Sequence, residues 1–260
     1  ETSRRASFPA CATLLRGKRH SSFVTLSVGG RAKSRPVETS RDQSKGVIRH
    51  LSFVIRHSFI PYPMPYLVVD LEMSGPEPGY HEIIQIGAVL LNDNWVELGT
   101  FLSNVYPENE EAFTASAEKV HGLSWDELQE APMVYEVLED FEKWIRKMLK
   151  RQGGDLKDLV ICGQSVIFDV NFLKFAYSGE NIDWPFSNKL IDLHTIAYYT
   201  FRILEANGKS VPKSLSLKSI SAYFGFEREG TTHNALEDSQ LTMICLQRFF
   251  QMAAKFKVAE

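Results

Sequence analysis

Apolar and polar positions follow two regimes along this chain, one before residue 64 and one after it. From Tyr66 onward, "YLVVD" is a continuous apolar run of strand length that ends in two carboxylates, Asp70 and Glu72, with Leu71 between them. A second run, "EIIQIGAVLL" (82–91), predicts another strand. "NDN" (92–94) supplies turn residues and "WVELGTFLSNV" (95–105) the returning strand, so the pair reads as a hairpin. The period then changes. "SAEKVHGL" is short and helical, and across 132–149 Val134, Val137, Leu138, Phe141, Trp144, Ile145 and Met148 recur at helical spacing, with Pro132 suited to the first turn. "LVICG" (159–163) is a buried-type strand. "VIFDVNFLKFAYSG" (166–179) follows as a helix with Phe168, Phe172 and Phe175 on one side. "KLIDLHTIAYYTFRIL" (189–204) is a short strand running into a helix, 216–226 a helix stopped at Gly225, and 234–256 the closing helix. Strands that come first and then alternate with helices predict an α/β layered domain, and no internal repeat interrupts it.

The first 63 residues carry no such pattern. They hold 12 Lys/Arg against 3 Asp/Glu, whereas 64–260 hold 17 against 29, so a net charge of −3 conceals a +9 head on a −12 body. The head is rich in Arg and Ser, contains "GG" at 29–30 and ends in "PYPMP". With little patterned apolar surface to bury, it is expected to be disordered. Met64 stands just before the first convincing strand, and we read it as the start of the protein, with 64–260 as the functional domain. A mitochondrial-type transit peptide is the second reading of 1–63 and a nucleic-acid-binding basic tail the third. The protein is accordingly placed in the cytoplasm, or in the mitochondrion if the leader is a transit peptide.

The composition allows a sizeable core, at 44% hydrophobic. No apolar run approaches the roughly 18 residues of a membrane span; the best, "LSFVIRHSFI", is broken by Arg56 and His57. Cys11, Cys162 and Cys245 lie far apart and show neither zinc spacing nor a disulfide framework.

Acids recur where apolar elements end or begin: Asp70 and Glu72, then Asp169, then Asp238, with His233 five residues before the last. Singly, each is ordinary. An Asp at a strand end usually caps a helix, and a first-turn acid is stabilised by the helix dipole. Together they are not. Asp70 and Glu72 share one face of a strand, where like charges repel unless a cation joins them. Hard oxygen ligands of this kind suit Mg²⁺ or Mn²⁺. "NALE" offers Asn234 as a helix cap with Glu237 three residues on, which assigns Glu237 a local role and leaves Asp238 free for another.

The order D-x-E, a distal D, then H-x-x-x-x-D resembles the histidine-bearing branch of the DEDD 3′→5′ exonucleases, which includes the polymerase III proofreading subunit, RNase T and oligoribonuclease. The resemblance runs from about Tyr66 to Phe250 and extends to "EIIQIGAVLL", "HGLSWDELQEAPMVYEVLEDFEKWI", "LVICGQSVIFDVNFL" and "HNALEDSQLT". Three positions depart from the family: Gln85 where "IIEIG" has Glu, Gln164-Ser165 where His-Asn is common, and Met73 where many DNA-directed members have Thr. "DLEM" is shared with oligoribonuclease-like members and tilts slightly toward RNA.

The resemblance implies an RNase H-like fold, a mixed central β-sheet flanked by helices. It implies two divalent cations held by Asp70, Glu72, Asp169 and Asp238, and His233 as the base that deprotonates the attacking water. The expected product is a nucleoside 5′-monophosphate released from a 3′ end. Met73, His121 and Phe168 are the expected substrate contacts, through stacking or packing against terminal bases. The partners implied are the 3′ ends of single-stranded DNA or RNA, and, by analogy with dimeric relatives, a second copy of the chain. The −12 body argues against a long phosphate track, so short single-stranded ends are expected. Two other readings remain open at this point: a catalytically silent nucleic-acid-binding module on the same fold, and a scaffold holding one structural Ca²⁺.

Overall fold

The computed structural model describes residues 64–228 and 232–255. The basic leader, with the expectations attached to it, lies outside them. Every element named below belongs to one compact unit.

The centre is a five-stranded sheet. β1 (Tyr66–Met73), β2 (Ile83–Leu91) and β3 (Glu97–Asn104) form the antiparallel meander expected from the hairpin pattern. β4 (Val160–Gly163) lies parallel to β1, and β5 (Leu190–Asp192) parallel to β4, giving the order β3-β2-β1-β4-β5. The sheet is therefore mixed, as anticipated. β1 is central and buried on both faces, which explains its unbroken apolar run.

Residues of alternating parity feed two cores. Leu67, Val69 and Leu71 of β1 join Ile86, Ala88 and Leu90 of β2 on one face. There they meet α3 (Val134–Met148) through Val137, Leu138, Phe141 and Ile145, and α4 (Ile167–Gly179) through Val170, Phe172 and Leu173. Tyr66, Val68, Val89 and Leu91 face the other way. They are covered by α5 (Leu193–Ala206), α6 (Leu217–Tyr223) and α7 (Ala235–Ala253). Two short helices, α1 (Ala115–His121) and α2 (Trp125–Leu128), follow the meander. The second was not distinguished in the sequence; Ser124 and Glu127 close it with a reciprocal capping box. Among the described residues no helix is long and apolar enough to cross a membrane.

Two local expectations are corrected. Pro132 is not in the first turn of α3: Met133 is the cap, its N–H held by Glu136 (3.0 Å), and the Pro132 carbonyl instead accepts the Tyr106 N–H (2.8 Å). The three phenylalanines of α4 share a side but not an environment. Phe172 is buried in the core, whereas Phe168 and Phe175, one turn before it and one turn after, are exposed.

Candidate active site

β1 is paired to β2 along its whole length, but β4 accompanies it only as far as the Val68–Cys162 pair. Beyond that point its second edge is open. The Leu71 N–H there donates to Asp169 Oδ1 at 3.1 Å. One acid of the first turn of α4 is thus fixed beside Asp70 and Glu72. The link between β4 and α4 is tight. A side chain on Gly163 would collide with Val166 and crowd the Val69 carbonyl, and Ser165 takes a left-handed conformation, φ 55°. The Ser165 N–H is held by Asp192 Oδ1 (2.7 Å), whose carboxylate also caps α5 through the His194 and Thr195 N–H groups. Asp192 was not singled out in the sequence; its place at a strand–helix junction was the available signal.

The third acid arrives on α7. Gly87 lies directly across from Asp70 in the β1–β2 ladder. A Cβ there would fall well under 3.0 Å from the backbone of Ala235 and Leu236. The missing side chain lets the first turn of α7 rest on the sheet. Gln85, opposite Glu72, secures it: its Oε1 accepts the Ala235 N–H (2.9 Å) and its Nε2 donates to Asn104 Oδ1 (2.7 Å). A bulge between Glu72 and Met73, where the register steps past Ile84, ends this polar row. Asn234 caps α7 as expected, accepting from the Leu236 and Glu237 N–H groups. Asp238 then sits in the first turn, 2% exposed.

His233 precedes that cap. Its backbone N–H donates to the Val120 carbonyl (2.7 Å), docking the strap on the end of α1. Gly122, the left-handed residue that ends α1 (φ 72°), leaves room for Thr232, whose methyl a Cβ would strike. The "HGL" segment thereby seats His233. His121 lies beneath, 4% exposed; its Nδ1 accepts the Leu123 N–H and its Nε2 is buried without a partner. Desolvation and the nearby His233 both hold its pKa down.

Asp70, Glu72, Asp169, Asp238 and His233 converge at the open end of β1. Burial pushes the Asp70 carboxyl well above the usual range, and Asp169, Asp238 and Glu72 push it further. Glu72 is raised to about 7, by burial first and then by Asp238 against the opposing pull of His233 and Arg228. Asp169 is likewise raised to about 7, mainly by burial, despite the bond from Leu71. Such a cluster is stable as anions only with cations among them.

Asp238 takes no part in capping α7, and its carboxylate is engaged elsewhere. Arg228 grips it with a two-pronged bond, Nε to Oδ1 at 2.8 Å and Nη2 to Oδ2 at 2.6 Å, and His233 Nδ1 lies 3.2 Å from Oδ2. Sequence reasoning missed Arg228, which stands in an unpatterned stretch between helices.

The donor set fits a hard divalent ion. Among the described residues, ligand atoms of Glu72, His233 and Asp238 lie within 4.8 Å of one another, and Glu72 Oε1 is buried without a hydrogen-bond partner. Phe168, which precedes Asp169 in α4, stands out 59% exposed, and Met73, which follows Glu72 in β1, is half-buried against the core. An exposed ring beside an acidic centre is available for stacking.

Known proteins resemble this chain in sequence and in fold. A family model described as Exonuclease (RNase_T) matches residues 67–246. The 3′-5′ exonuclease DinG of Staphylococcus haemolyticus is 29% identical over 193 residues, 72% of this chain and 18% of that protein. The chain therefore spans less than a fifth of that relative. Among solved structures, the nuclease domain of 3′hExo, a DEDDh family member bound to rAMP, superposes with a TM-score of 0.58 at 22% identity, covering 77% of this chain and 98% of that one. Escherichia coli exonuclease I in complex with single-stranded DNA gives 0.60 at 16% identity, covering 73% and 42%.

Proposed function

The chain belongs to the exonuclease family whose model it matches, and from that premise we propose that residues 64–260 form a 3′→5′ exonuclease domain of the DEDDh type that trims the 3′ ends of single-stranded DNA or RNA, releasing nucleoside 5′-monophosphates. The observation that supports this most is the convergence of four acids from three separate elements, with a histidine, at one open strand end.

In this reading Asp70, Glu72, Asp169 and Asp238 hold two divalent ions, Mg²⁺ or Mn²⁺. When bound, these ions supply charge neutralisation at the entering and leaving oxygens of an in-line displacement. Asp70, which feels the charge of all three other acids, would contribute to holding both ions. Asp169 is held to one side by the Leu71 N–H and Asp238 to the other by the first turn of α7. His233 is the general base. It lies on a strap and not in a helix, is 41% exposed, and can turn from Asp238 toward a water nucleophile. Phe168 offers a face to the terminal base, and Met73 backs that base from the sheet side. His121, buried with one unpartnered nitrogen, would meet the terminal nucleotide only through Nε2. The acidic body favours short ends over extended duplex.

Incubating 3′- and 5′-labelled single-stranded RNA and DNA of the same sequence with the protein and Mn²⁺ tests the proposal. Stepwise shortening from the 3′ end is expected, abolished in Asp70→Asn and His233→Ala. Strand binding without shortening of either polymer would instead identify a silent binding module.

A further inference from the structure

Arg228 has no assigned part in the chemistry just described, yet its contact is made with a proposed metal ligand. Its side chain is 14% exposed, and its guanidinium meets both oxygens of Asp238, whose side chain is 3% exposed. Its charge reaches further, drawing the Asp70 and Glu72 carboxyls downward against their burial. Arg228 thus acts as a resident cation in the acidic centre. A carboxylate whose two oxygens are gripped by a guanidinium fork cannot turn the same lone pairs to a metal. The guanidinium and a metal ion therefore compete for this carboxylate.

The displaced side chain has an evident use. The fork geometry that matches a carboxylate also matches a phosphate. A phosphodiester approaching these acids needs positive charge from a body whose net charge is −12, from 17 Lys/Arg and 29 Asp/Glu over 64–260. We propose that Arg228 is a substrate-binding residue held on Asp238 until divalent metal arrives: metal entry displaces the guanidinium, which then takes a phosphate of the incoming strand. This extends the exonuclease reading of the same site and rests on it. It also assigns an order, metal before strand, because the arginine becomes available only once Asp238 has exchanged partners.

Two equilibrium measurements on the intact protein test the proposal. Mn²⁺ affinity is read without nucleic acid, by titration calorimetry or by the electron paramagnetic resonance of free Mn²⁺. With the competitor gone, Arg228→Gln should bind Mn²⁺ about tenfold more tightly than wild type. Affinity for a short fluorescent single strand is read by anisotropy in Ca²⁺, with chromatography confirming an uncut strand. Here Arg228→Gln should bind about tenfold more weakly, and Arg228→Lys, which keeps the charge without the fork, should fall between. Circular dichroism of each variant establishes that it is folded, and Arg228→Lys carries both measurements if Arg228→Gln is not. Unchanged or weaker Mn²⁺ binding by the variants would overturn the proposal, as would unchanged strand binding. Failure of the exonuclease reading is seen separately, as absence of trimming by wild-type protein in Mn²⁺.

Discussion

Gly87→Ala isolates the contact that brings the third motif to the first two. The added methyl would fall well under 3.0 Å from the Ala235 carbonyl carbon and the Leu236 nitrogen, both backbone atoms, which no rotamer change can relieve. Ordinary contact begins at 3.4 Å, so the first turn of α7 must retreat by roughly 1–1.5 Å. Overpacking of this kind costs about 1–3 kcal/mol. For a body of this size that lowers Tm by roughly 3–10 °C. The catalytic effect should be larger than the loss of stability suggests. Asp238 lies three residues beyond Ala235, and a shift of about 1 Å in one member of a catalytic constellation can cost on the order of 100-fold in rate. The assay is single-strand trimming at saturating Mn²⁺ and at a temperature well below the variant's Tm, beside thermal melting. Gly99→Ala is the control: its methyl would meet chiefly the flexible end of Met148, which can move, so activity should be retained. A Gly87→Ala protein with wild-type rate and melting temperature would refute the argument that this glycine sets the position of α7.

Other outcomes follow from the same geometry. Glu72 and Asp169 are both raised to about 7 in the folded protein, from 4.5 and 3.8, so their contribution is complete below the ordinary carboxylate pKa and is lost as pH rises toward 7. Metal-free protein should therefore lose several kcal/mol, on the order of 5, between pH 4.5 and pH 7.5, with Mg²⁺ restoring it at the alkaline end; chemical denaturation across pH with EDTA or Mg²⁺ reads this, and a flat profile would contradict it. Asp70→Asn, which removes one like charge from the cluster, should abolish trimming while raising the metal-free Tm, and a sharp loss of stability would point instead to a purely structural ion. Ser165→Asn should stabilise by about 0.5 kcal/mol, because asparagine tolerates the left-handed φ of 55° better than serine. Phe168→Ala should weaken single-strand binding about tenfold through lost stacking while moving Tm by about 1 °C or less, since the ring is already 59% exposed.

How much of this was legible in the sequence depends on the range over which each feature is encoded. β1, the hairpin, α3 and α4 were readable because their apolar periods are local and face a core. The five polar residues of the site were readable because they fall at element ends in a fixed order. What the sequence could not display is who holds them. Gly87 reads as one more small residue in a buried strand until α7 is laid across it. Gly122 reads as a helix stop, which it is, but the same absent side chain also admits Thr232 and so seats His233. Arg228 and Asp238 are ten residues apart with no period linking them, and their pairing exists only because the fold sets Arg228 against the first turn of α7.

Gln85 carries the argument furthest, because in the sequence it appeared only as a departure from "IIEIG". In the structure it lies in a polar row across three strands, Glu72–Gln85–Asn104, beneath the start of α7. Its amide serves both neighbours at once, accepting from the Ala235 N–H and donating to Asn104 Oδ1. A glutamate could keep the first bond. Ionised, it could not make the second, since a carboxylate has no proton to donate and would face the Asn104 carbonyl oxygen until that amide turned over. It would also add a further negative charge directly opposite Glu72, whose carboxyl is already forced upward by burial and by Asp238. The glutamine and Asn104 therefore form a matched pair. The departure from the family's glutamate keeps the tie to α7 while sparing Glu72 another like charge.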